Sequence, residues 1–202
     1  MSYSDFDLKR VKQELGVTLT EEQNVFSAIK SVDISSTLTE ILAENIPLAR
    51  AINTEKARSE LIIANILVEV RKILKHKVSL FSGIEFDVDR EKGLNGFCDF
   101  IISASQEQLT LSSPIIAVVE AKNENIIGGL GQCIAEMVAA GIFNKAEGNQ
   151  IMRLYGAVTT GTAWKFIKME GLDVVIDLDE YSIENSGKIV GVLLEILTQN
   201  VY

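Results

Sequence analysis

Apolar positions in the first fifty residues fall at helical spacing behind two capping boxes. Thr20-Glu-Glu-Gln23 precedes Val25, Phe26 and Ile29, and Thr37-Leu-Thr-Glu40 precedes Ile41 and Leu42. A Thr followed three residues later by Glu or Gln satisfies orphan N–H groups at a helix start, so both stretches are predicted helical, with Pro47 as an interruption. A longer helix is predicted from a cap at Asn53 or Thr54 to about Lys75. Leu61, Ile62, Ile63, Ile66, Leu67, Val70, Ile73 and Leu74 give it a wide apolar face.

Three strand-like runs follow. The first spans Val78 to Asp89 and ends in a charged turn, Asp89-Arg-Glu-Lys-Gly93; the second is Gly96 to Ser103; the third is Ile115 to Lys122, entered through Pro114. A helix is predicted from about Ile126 to Phe143. Leu154 to Thr160 and Ala163 to Met169 read as a hairpin around Thr160-Gly161-Thr162, Leu172 to Leu178 as a further strand, and Lys188 to Leu197 as a closing helix. The order α-β-β-β-α-β, with additions, predicts a mixed α/β layer fold. With 202 residues and no repeat, low-complexity tract or Gly/Ser linker, one domain is expected: a helical extension over 1–52 packed on a core over 53–202.

Composition narrows the class. Hydrophobic residues make up 47% and charged residues 23%, the balance of a globular chain. The N-terminus lacks an apolar signal-like run, and Leu61 to Val70 is too short and too polar to span a bilayer, so a cytoplasmic protein with no membrane partner is expected. Cys98 and Cys133 are predicted to be small buried residues, not a disulfide or zinc site. A single histidine, His76, sits in the basic run Arg71 to Lys77 and reads as part of a solvated helix end. Trp164 and Tyr155 are expected to fill the core near the hairpin. The net charge of −9 counts against non-specific nucleic-acid binding but leaves room for a local basic patch.

The chemistry is predicted where polar groups break apolar strands. In Val118-Val-Glu-Ala-Lys122, alternation puts Glu120 and Lys122 on one face at the C-terminal end of a strand buried on both sides. Asp99 interrupts Phe97-Cys-Asp-Phe-Ile-Ile102, and an antiparallel pairing of the two strands would bring it beside Glu120. Glu60, near the start of the long helix, is predicted to overhang the same strand ends. Taken singly, Glu120 with Lys122 reads better as a structural ion pair at a strand end, and Glu60 reads better as a first-turn acid favoured by the helix dipole. Together, three carboxylates and one lysine invite a divalent cation, and hard oxygen donors without histidine suit Mg²⁺ or Mn²⁺. Gly128-Gly-Leu-Gly131 lacks the spacing of a dinucleotide or P-loop motif; its glycines are expected to let the helix pass close to the active edge.

Asp99, then Glu120-Ala-Lys122 on the next strand, a preceding helix with Glu60 and a following helix with Gln132 resemble the PD-(D/E)xK nuclease superfamily. The resemblance runs from about Glu60 to Thr160, with Cys98 where the motif's name has proline. It implies a restriction endonuclease-like αβββαβ core with a central mixed sheet flanked by helices. Asp99 and Glu120, with the carbonyl of Ala121, would hold Mg²⁺ or Mn²⁺. Lys122 would orient the attacking water, Glu60 would assist a second ion, and Gln132 would orient Lys122 or a water. The implied reaction is phosphodiester hydrolysis of DNA. A homodimer is open, through Ile189, Val192, Leu193 and Ile196, and so is core packing of that stripe. The alternative is a non-catalytic binding or assembly protein that keeps the fold, which the acidic charge favours.

Overall fold

The computed structural model describes residues 1–199; the last three positions of the expected core, 200–202, lie outside the described residues. One mixed sheet of eight strands organises the chain. Its strands are β1 (Thr18–Gln23), β2 (Ser79–Glu85), β3 (Phe97–Ser103), β4 (Ile115–Ala121), β5 (Arg153–Thr159), β6 (Ala163–Glu170), β7 (Asp173–Asp177) and β8 (Tyr181–Ser182). The order is β1-β7-β6-β5-β4-β3-β2, with β8 paired to β6. The helices are α1 (Leu8–Leu15), α2 (Ser36–Ile52), α3 (Glu55–Arg58), α4 (Ala64–Ile73), α5 (Ile126–Ala146) and α6 (Ser186–Thr198).

The predicted central order holds. Strands β2, β3 and β4 are antiparallel neighbours, α5 crosses over, and β5 returns parallel to β4. All seven residues of β4 are buried, as a strand covered on both faces requires. Its side chains divide between two cores. Ala117, Val119 and Ala121 face α2, α4 and α6, while Val118 faces α1 and α5. Trp164 and Tyr155 are buried in the first core, as predicted. Ile189, Val192, Leu193 and Ile196 are buried there too, so the stripe that left a dimer open is spent on packing within the chain.

Three expectations over the first half need correction. Thr20 to Gln23 is not a helix start: it belongs to β1, which pairs parallel with β7. That ladder takes the backbone donors a capping box would have satisfied. Val25 to Ile29 continue as irregular chain. Phe26 is inserted against the rings of Tyr155 and Phe166, and the Lys188 ammonium holds the carbonyls of Phe26, Ser27 and Ile29. The second box also shifts: the Ser35 hydroxyl, not Thr37, caps α2 by accepting from Leu38 N at 3.2 Å. Pro47 does not end α2. It lies exposed, as does Ala43, so the carbonyl left without a partner can meet water.

The long helix is present with an internal change of pitch. Thr54 caps α3, while Asn53, in the left-handed region, closes α2. Between α3 and α4, Ser59–Ile63 form a π-helical stretch. His76 lies exposed just past α4, as expected of a solvated helix end.

Helix α5 corrects the reading of apolar segments. Ile126–Ala146, rather than Leu61 to Val70, is the stretch long and apolar enough by length and composition to cross a bilayer. In this fold it is a core helix, with 67% of its apolar window buried against the sheet and α1. Gly131 sets that packing. A Cβ there would lie 2.4–2.6 Å from the backbone of Phe6 and Asp7, and Asp7 caps α1 through Arg10 N. Gly131→Ala is expected to destabilise the fold by about 2 kcal/mol despite the better helix propensity of alanine, because backbone must move. A chemical denaturation series checks this; an equal or higher midpoint would show that the N-terminal segment is not held there.

Candidate active site

The strand pairing brings the polar exceptions together. In the β3–β4 register Phe100 faces Val119 and Ile101 faces Val118, so one further step sets Asp99 across from Glu120. The ladder stops there because Asp99 replaces it: its carboxylate accepts the Ala121 N–H at 2.7 Å. Glu120 is 2% exposed and accepts from the Lys122 ammonium at 2.5 Å. The same ammonium donates to Gln132 Oε1 at 3.2 Å, and Gln132 Nε2 donates to Glu136 Oε1 at 3.1 Å. The end of β4 and α5 thus contribute one continuous chain: Glu120, Lys122, Gln132, Glu136.

Local sequence explains why these groups meet. Gly129 lies where a Cβ would come within 3.0 Å of the Lys122 side chain and 2.7 Å of Val158, so only glycine lets α5 pass this close to the lysine. Asn125 caps α5 by accepting from Gly128 N at 2.9 Å. Gln132 and Glu136 are four residues apart, on one face of the helix. The glycines therefore serve the close approach predicted for them.

Glu136 was missed from sequence. It is fully buried, and among the described residues neither Glu120 Oε2 nor Glu136 Oε2 has a hydrogen-bond partner. A signal existed: Glu136 is the only acid between Glu124 and Glu147, placed in an otherwise apolar helix one turn beyond Gln132. Glu60 is placed elsewhere. Its side chain is 60% exposed and pairs with Lys56 at 2.8 Å, away from the strand-end acids. Glu55 in α3 is the helix acid near enough to bear on Lys122. The two lie five residues apart, with Glu60 already inside the π-helical stretch and turned to Lys56.

Electrostatics follow from burial. Burial raises the Asp99 pKa, against the Ala121 N–H and Lys122, which lower it. Burial, then Asp99, push Glu120 up to about 7, with Lys122 opposing. Glu136 is raised well above the carboxylate range by burial and by Glu120, against the Gln132 amide. The Lys122 ammonium is disfavoured by burial, but Glu120, with Glu55 and Asp99, outweighs that and raises its pKa. Cys98 and Cys133 are free and buried, and burial raises both thiols, so neither is a nucleophile at neutral pH.

The donor chemistry suits a hard cation: carboxylate oxygens, two of them orphaned, and no histidine. The spacing is less complete. Among the described residues no three Asp, Glu, His or Cys side chains stand together at metal-holding geometry. Asp99 is held by Ala121 N and Glu120 by Lys122. An ion would thus be held by two carboxylates, with backbone or water completing the shell.

Arg58 frames the site from the other side. It is 9% exposed and makes no ion pair among the described residues. It donates to Asn123 Oδ1 at 3.2 Å, Thr160 O at 3.0 Å and Asn53 Oδ1 at 3.0 Å. These bonds fasten the segment after Lys122 and the β5–β6 turn to α3. A cavity of about 680 Å³ lies at the opposite end of the sheet, lined by Leu15, Val138, Ile142, Leu154, Met169 and Leu172 among others. Its lining is mainly apolar and includes none of Asp99, Glu120, Lys122, Gln132 or Glu136. In comparisons with known proteins, no family model and no curated protein matches the chain.

Proposed function

We propose that the chain is a divalent-metal-dependent nuclease with a restriction endonuclease-like core, acting on DNA. The observation that carries this is the meeting of Asp99, Glu120 and Lys122 at one strand-end rim, with Gln132 and Glu136 behind them. The order of α4, β2, β3, β4, α5 and β5, with β4 and β5 parallel, supports the core assignment.

Asp99 and Glu120 would hold Mg²⁺ or Mn²⁺, beside the Ala121 carbonyl. When bound, the ion supplies Lewis acidity and lowers the pKa of a coordinated water. The other roles belong to the chain. Lys122, held between Glu120 and Gln132, would place its ammonium against the scissile phosphate and the attacking water. Gln132 fixes the lysine through Oε1 and is itself fixed by Glu136. The burial of Glu120 excludes bulk water, so the lysine charge acts at a lowered dielectric.

Purified protein is expected to cut labelled single-stranded, duplex or branched DNA with Mn²⁺ or Mg²⁺, and to cut none in chelator. No cleavage of any of the three with either ion would overturn the reading. The second reading, a non-catalytic binding or assembly protein on this fold, is favoured by one structural observation: among the described residues no third metal-holding side chain joins the two carboxylates. Calorimetry with Mn²⁺ separates the two, since only the nuclease reading requires heat of binding that disappears in Asp99→Asn.

A further inference from the structure

Of eight phenylalanines in the chain, only Phe97 is exposed. The residue is 66% exposed, whereas every described tyrosine and the tryptophan are buried. An isolated exposed ring is ordinary; its setting here is not. Phe97 begins β3 two residues before Asp99, about 7 Å along the strand. Because β3 runs antiparallel to β4, that end of β3 lies at the Lys122 end of β4.

The backbone that presents the ring is fastened on both sides. Phe86 N donates to Gly96 O at 2.7 Å, and Gly96 N donates to Asp87 Oδ1 at 2.9 Å. Tyr3 N donates to Asn95 O at 3.1 Å, and the Tyr3 hydroxyl donates to Phe86 O at 2.7 Å. The ring stands on a braced platform, so a partner that stacks on it orders little extra backbone.

We propose that Phe97 is a base-stacking platform and that the substrate reaches the site as unpaired, single-stranded DNA. The proposal rests on the nuclease reading for its substrate class and adds the strand form. Charge decides between the forms. The chain carries a net −9, so broad neutralisation of duplex phosphates is not on offer. Glu85 pairs with Phe97 in the β2–β3 register and is exposed, so a duplex laid over this rim would bring phosphates against a carboxylate. A single strand can turn its bases to the ring and its phosphates toward Lys122. Stacking then supplies affinity that electrostatics does not, and it is tolerant of sequence because every base has a π-face.

The test is fluorescence anisotropy of a labelled oligothymidylate with the full chain in Ca²⁺, so that binding is read apart from cleavage. Wild type is expected to prefer it over a blunt duplex of the same length. Phe97→Ala is expected to weaken binding about tenfold or more, and Phe97→Tyr to restore it. In Phe97→Trp, the emission of the new indole should be quenched on binding, while buried Trp164 contributes a constant background. Equal binding by Phe97→Ala, a duplex preference, or no binding by wild type would each overturn the inference. Failure of the nuclease reading looks different: wild type would bind the oligonucleotide through Phe97 yet cut nothing in Mn²⁺. Cleavage of single strands with unchanged KM in Phe97→Ala sinks the stacking role and leaves the nuclease reading intact.

Discussion

Asp99→Asn is expected to abolish metal-dependent DNA cleavage, by about a thousandfold or more, while leaving the protein folded. The two effects separate because the carboxylate has two jobs. Structurally, one oxygen accepts the Ala121 N–H at 2.7 Å and ends the β3–β4 ladder. Asparagine keeps an acceptor there, so the thermal midpoint should change little. Chemically, the negative charge is what attracts a cation, and asparagine removes it. Lys122→Gln should give a comparable loss of activity by a different route: it keeps a hydrogen-bonding group near Glu120 and Gln132 but removes the charge that would face the phosphate. Losses of this size are usual when a proton-handling or charge-stabilising group is removed from a site. Calorimetry divides the pair. Asp99→Asn should lose Mn²⁺ binding, whereas Lys122→Gln should keep it. If Glu60→Gln were as damaging as Asp99→Asn, the site would have been drawn around the wrong helix acid.

The strand part of this site was legible in sequence because the signal is local. A carboxylate and an ammonium two residues apart at the end of Ile115-Ile-Ala-Val-Val, and an aspartate inside Phe97-Cys-Asp-Phe, violate the apolar pattern where a buried strand makes violation costly. Alternation gives their face, and antiparallel pairing gives their meeting. The helix part was less legible. Glu60 and Glu55 lie on one helix, and which one faces the strand ends depends on phase. A π-helical stretch at Ser59–Ile63 alters that phase, and no composition signal announces it. Glu136 was written in the sequence but was masked by the apolar helix around it. Its isolation as the sole acid between Glu124 and Glu147, one turn beyond Gln132, is the signal that gives it away.

The same division holds for the fold. Hairpin β5–β6 and strands β2 to β4 are made by neighbours in sequence, and patterning found them. Strand β1 is made by β7, about 150 residues downstream, through Thr18–Asp173 and Leu19–Val174. Nothing within Thr18–Gln23 specifies that distant edge, while Thr20 and Gln23 happen to satisfy a capping rule. The tertiary pairing overrode the local signal. A long-range partner is therefore the cause of the misread strand.

The fold is expected to become less stable as pH rises from about 5 to about 8 without divalent metal, and Mn²⁺ is expected to reverse most of that loss. The sign follows from the direction of the shifts. Glu120 is raised from 4.5 to about 7, and Glu136 is raised as well, so the folded chain keeps protons that the unfolded chain has released. Below about pH 4 both states are protonated and the groups contribute nothing. Between the unfolded and folded values stability falls with rising pH, and above the folded value the full penalty remains. For Glu120 the shift corresponds to on the order of 3 kcal/mol, taken as a property of the pair with Glu136. In a chain of this length that is about 6–12 °C in the thermal midpoint. Glu136→Gln removes one buried charge while an amide can still bond Gln132, so it should raise the midpoint at pH 8 and flatten the profile. A bound divalent ion offsets the same repulsion, so Mn²⁺ should stabilise wild type more at pH 8 than at pH 5.5. A flat profile in metal-free wild type would mean that Glu120 and Glu136 ionise without cost. The orphaned oxygens at the strand end would then give no reason to expect a cation there.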